Sequence, residues 1–147
     1  MKRFDKRDVA IELLDAAVTE HLDHERHFAA YNLAAVAEEL MSKLLRLSGK
    51  NDSSTLKIGA VKAMSQAQHQ TSGDDSAWRK LFFRLKNTIK HMDNEADRFF
   101  EANIEANARQ KIIDAIFNLE KLSLDKSPDV RRFDAYRLNL RSSRNAS

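Results

Sequence analysis

At 147 residues the chain is the size of one domain and long enough to bury a core, and its three glycines and single proline fit an all-α composition with short loops. The absence of cysteine excludes disulfides and thiolate metal sites. Residues 126–147 carry +4 of the total charge of +3, leaving a body at −1, which argues against a histone-like nucleic-acid binder.

Residues 5–22 read as a first helix, with Val9, Leu13, Ala16 and Ala17 at helical spacing. Residues 20–27 follow as a dense polar stretch and a turn. His21, His24 and His27 are three apart, and three histidines can hold zinc. The Glu-x-x-His pattern of carboxylate-bridged metal sites is absent, since Val18, His21 and His24 stand three before each histidine. The stretch is read as a solvated helix junction, with no metal and no cofactor expected.

A second helix spans 27–47. Leu33, Val36, Ala37, Leu40, Met41, Leu44 and Leu47 cover about half its circumference, which predicts a central element touching several neighbours. Asn32, Glu39, Lys43 and Arg46 form its polar strip, with Glu39 set to pair with Lys43. Residues 48–54 are a loop by composition. Ser54 or Thr55 is the expected cap of a third, marginal helix reaching about residue 70, and a mobile polar loop is expected to follow.

Residues 76–93 form the most amphipathic stretch. At about 100° per residue, Trp78, Leu81, Phe82, Leu85, Ile89 and Met92 share one third of the circumference as a core stripe. Lys80, Arg84, Lys86, Asn87, Lys90 and His91 occupy the remainder, and Phe83 points out among them. Arg84 and His91 are nearly two turns apart and stack on one side with Asn87 between them. Asp74 or Asp75 is the expected cap. Phe99 and Phe100 are expected to pin the next connection against the bundle. A further helix spans 104–122, with Ile104, Ala108, Ile112, Ala115, Ile116 and Leu119 in phase. Ser127-Pro128 opens a short last helix. The prediction is an antiparallel bundle of four main helices plus one or two short ones, with one domain over 1–140 and a frayed basic tail over 141–147.

The Arg84-x6-His91 spacing on an inner helix of an all-α chain resembles the HEPN superfamily. Asn87-x-x-Lys90-His91-x-Asp93, behind the alanine-rich second helix, is similar to a group of bacterial proteins with an Asn-x-x-Lys-His-x-Asp signature. The first resemblance implies a metal-independent endoribonuclease with Arg84 and His91 as catalytic pair, in a homodimer. RNA cleavage of that kind needs a base near neutrality, which His supplies, and a cation that grips phosphate, which Arg supplies. Lys80, Asn87 and Lys90 would bind RNA or nucleotide, and Glu39 or Asp93 would support the pair. Leu85 stands where catalytic members usually carry a polar residue, so the resemblance implies a fold more than an activity. The alternative is a non-enzymatic homodimeric interaction protein in which the same residues cap a helix. With no apolar run near the roughly 18 residues of a span and no signal-peptide core, a cytoplasmic protein without membrane contact is expected.

Overall fold

The computed structural model describes residues 1–67 and 75–145, and the side chains of 66, 67, 75–79, 81–83, 144 and 145 fall outside that description. Among the described residues there are six α-helices and no strand: α1 (Lys6–Leu22), α2 (His27–Leu47), α3 (Ser53–Ala67), α4 (Asp75–Lys90), α5 (Ile104–Lys121) and α6 (Pro128–Asn145). A 3-10 turn at Glu95–Arg98 links α4 to α5. The expected loop at 68–74, its Asp74 cap and the side chains of Trp78, Leu81, Phe82 and Phe83 lie outside the described residues.

Side-chain caps set most of the helix starts, as their residue types dictate. Asp5 accepts the Arg7 N–H at 2.8 Å, Asn103 the Ala106 N–H at 3.1 Å, and Ser127 the Val130 N–H at 3.1 Å. Asp52, rather than Ser54 or Thr55, caps α3 by accepting the Thr55 N–H at 2.8 Å. The last helix is 18 residues long rather than short, because nothing in its sequence after Pro128 breaks it. Two corners are closed by non-glycine residues in the left-handed region, Glu25 (φ 54) after α1 and Ser123 (φ 58) after α5.

The centre of the fold is α2 against α5, with α1 packed on both and α6 on α1. Ala34, Ala37 and Met41 of α2 meet Ile112, Ala115 and Leu119 of α5, all fully buried. Alanine at these sites lets the helix backbones approach closely. On α1 the buried face is Ala10, Leu14, Ala17 and Val18; of the expected Val9, Leu13, Ala16 and Ala17, Ala17 is fully buried and the other three lie one residue round from that face. Apolar residues on both flanks of α1 make the two phases nearly equal in hydrophobicity, and the packing of α2, α5 and α6 against α1 decides between them. On α2, Val36 and Leu47 are exposed, and Glu38 and Ser42 take positions in the buried arc instead.

A second, smaller apolar cluster joins Ala30, Tyr31 and Ala108 to Leu85 and Ile89 of α4. The α4 helix also contacts α3. Met92, expected at the end of the α4 core stripe, lies beyond the helix and is exposed.

Candidate functional site

Arg84 sits on the solvent side of α4 and lines an open depression of about 700 Å³ with Leu85, Thr88, Phe99, Phe100 and Asn107. One turn on, Asn87 opens instead on a cleft of about 600 Å³ between α2 and α4, beside Lys86, Glu39, Lys43 and Arg46. Two of the expected site residues therefore face different depressions. His91 follows the helix end. Its backbone N–H closes the last turn on the Asn87 carbonyl at 3.0 Å, and its side chain is exposed. Lys80 and Lys90 are exposed too. Among the described residues, Lys80, Arg84, Lys90 and His91 make no ion pair.

Glu39 bridges Lys86 at 2.6 Å and Lys43 at 2.9 Å, so it ties α4 to α2 rather than reaching Arg84 or His91. Hydrogen bonds from Lys86, then Lys43, hold its carboxyl down to about 2. The Asp93 backbone N–H donates to Asp97 at 3.0 Å, as the Asn94 N–H does at 3.1 Å, which completes the capping box at the start of the 3-10 turn.

That turn leaves its apolar residues outside. Phe99 is 79% exposed and does not pin the connection as expected, whereas Phe100, 41% exposed, does reach the bundle. Phe100 meets the half-exposed Phe28 of α2, edge to face at 6.0 Å. The Arg98 guanidinium lies over the Phe99 ring at 5.3 Å. The charge pattern along this surface is abrupt. Residues 76–90 hold five Lys or Arg and no acid, while residues 91–103 hold Asp93, Glu95, Asp97 and Glu101 against Arg98.

Composition and periodicity missed a buried polar network between α2, α3 and α5. Glu38 Oε1 accepts from the hydroxyls of Ser42 (2.9 Å), Ser53 (3.3 Å) and Ser54 (3.4 Å), and Oε2 faces Lys111 at 3.5 Å. Asn118 accepts the Ser53 N–H at 2.8 Å and donates to Ser42 at 2.9 Å. Asp114 takes Lys57 at 2.6 Å and Gln110 at 2.9 Å. Asp52, fully buried, pairs with Arg46; burial pushes its carboxyl up, but the Thr55 and Arg46 contacts outweigh that and hold it low. With its members mutually paired, the network is a structural lock on α3.

The histidine junction is only partly solvated. His24 is exposed and pairs with Glu20 at 3.2 Å, whereas His21 is buried against α6. No group of three His, Cys, Asp or Glu among the described residues is arranged to hold a metal. No described helix is long and apolar enough to cross a membrane.

No protein-family model, no curated protein and no solved structure matches the chain.

Proposed function

We propose that this chain is a non-enzymatic helical interaction protein that works as a homodimer, joined through the outer face of α4 and residues 91–103. The observation that carries this reading is the exposed Phe28, Phe99 and Phe100 beside the basic stretch 76–90 and the acidic stretch 91–103. A two-fold axis through such a surface sets the basic helix of one copy on the acidic turn of the other, with the rings buried between them. The HEPN-like bundle expected from the sequence, antiparallel and cytoplasmic, is the setting we propose for it. The division of Arg84 and Asn87 between two depressions, and the exposed position of His91, favour binding over catalysis.

Sedimentation at tens of micromolar tests the dimer. The wild type should be dimeric, Arg84→Glu with Lys90→Glu should dissociate it, and adding Glu95→Lys with Glu101→Lys should restore it. A wild type that stays monomeric sinks the reading.

A second reading rests on the unpaired cations Lys80, Arg84 and Lys90. With His91 and Asn87 beside them, they form a surface for RNA or nucleotide phosphates, and Phe99 offers a stacking face. It predicts single-stranded RNA binding that weakens steeply with salt and is lost in Arg84→Ala with Lys90→Ala. Cleavage of that RNA in the presence of a chelator, leaving 2′,3′-cyclic phosphate ends, would restore the ribonuclease reading; we expect none.

A further inference from the structure

The end of α1 carries a pair of histidines that the interaction surface does not use. His21, 3% exposed, and His27, the first residue of α2, bring their Nδ1 atoms within 3.2 Å. The His21 ring also packs on Phe133 and Tyr136 of α6, each with ring centroids 6.0 Å away. Its Nε2 is buried without a hydrogen-bond partner. A cavity of about 280 Å³ beside the pair is lined by Glu25 of the corner, Glu105 of α5 and Tyr136 of α6.

We infer that the His21–His27 pair is an acid-operated latch that holds α6 to the α1–α2 corner. Two imidazole nitrogens facing each other at this distance can share one proton. With both rings neutral, one Nδ1–H donates to the other's lone pair. One added proton keeps that bond, now N–H⁺ to N, and strengthens it. A second added proton leaves two cationic donors facing each other with no acceptor between them, and the contact must break.

The surroundings do not relieve that conflict. Glu105 is mostly drawn to Arg109, at 3.3 Å, and Arg109 itself opposes a charge on His21. Glu25 is exposed to water. Burial first, and then the His27 charge, push the His21 imidazole down from its usual range, against a smaller pull from Glu105.

The closed latch therefore holds at most one added proton, whereas an open corner lets each ring take its own. Below about pH 6.5 the open form binds one proton more, and the opening equilibrium rises by up to about tenfold per pH unit. What opens is α6. His21 is the side chain that meets both Phe133 and Tyr136, and α6 packs on α1 as its main neighbour.

The experiment is backbone hydrogen exchange on the full chain between pH 7.5 and 5.0, corrected for intrinsic rate, alongside ¹⁵N spectra of the imidazoles. Protection of α6 amides after Phe133 should fall by up to about tenfold between pH 6.5 and 5.5 while α5 amides keep theirs. In His21→Gln the pH slope of α6 protection should vanish. If that variant does not fold, the wild-type ring signals decide. The His21 ring should stay neutral for as long as α6 protection lasts, and its neutral signal should disappear together with that protection. Two rings that both protonate with α6 protection flat would overturn the latch. So would His21→Gln keeping the wild-type slope.

Discussion

Where α2 crosses α5, the polar groups of the Glu38–Asn118 network enter the interior with partners. Where α4 runs out into residues 91–103, phenyl rings and cations alike face water. Both regions combine apolar and charged residues, so composition does not separate them. The difference lies in completeness. In the α2–α5 region the buried donors and acceptors are paired with one another. Among the described residues, the α4 face packs Leu85 and Ile89 at its root and leaves Lys80, Arg84 and Lys90 beyond them exposed and without an ion pair. A folded chain tolerates such a face when another surface covers it in use.

The contrast can be broken hardest from the closed side. Ile112→Ala removes a fully buried side chain from the α2–α5 contact and should cost about 2–5 kcal/mol, read as a shifted denaturant midpoint at unchanged slope. Asn118→Ala tests whether the buried polar groups depend on one another. It strands the Ser53 N–H and one Ser42 contact, and about 1–3 kcal/mol should be lost in the same assay. A cost near zero would mean that water replaces the amide and that the network is not closed.

The smallest effect should come from the link between the two regions. Glu39 has a lowered folded pKa, so its grip on Lys86 is fully present above its ordinary value of 4.5. That grip is lost as pH falls from there towards about 2. Methyl spectra of Leu85 and Ile89 should report α4 loosening across that window, and Glu39→Gln should remove the transition. The pair is partly exposed, so global stability should change little.

The sequence was most legible where the helical period was clean and the cap unambiguous. The α5 helix ends one residue from its expected limit, and Ala108, Ile112, Ala115, Ile116 and Leu119 are buried as read. The α1 phase was not legible, because alanine and aliphatic residues flank its axis on both sides. The buried polar network was hidden for another reason. Glu38 and Asn118 are types that usually face water, and only their spacing gave a signal. Ala34, Glu38, Ser42 and Leu45 follow one another at helical intervals on a single face, a polar pair inside an apolar row. At the candidate site, the residue types on α4 were visible, but their division between two depressions depends on where α2 and the 3-10 turn stand. No local pattern encodes that.

The path of the chain between α2 and α5 has a consequence for how the sequence can change. The two central helices are separated by residues 48–103, an excursion that carries α3, α4 and the 3-10 turn and returns to pack beside its point of departure. Closing so long an excursion costs entropy that grows only with the logarithm of its length, about 0.6 kcal/mol for each doubling. The same separation makes the α2–α5 contact non-local, so it forms late relative to the α1–α2 hairpin and slows folding. Extra residues inserted in the excursion, away from the Asp52–Thr55 cap, would therefore alter the outer surface and the folding rate far more than the stability of the centre.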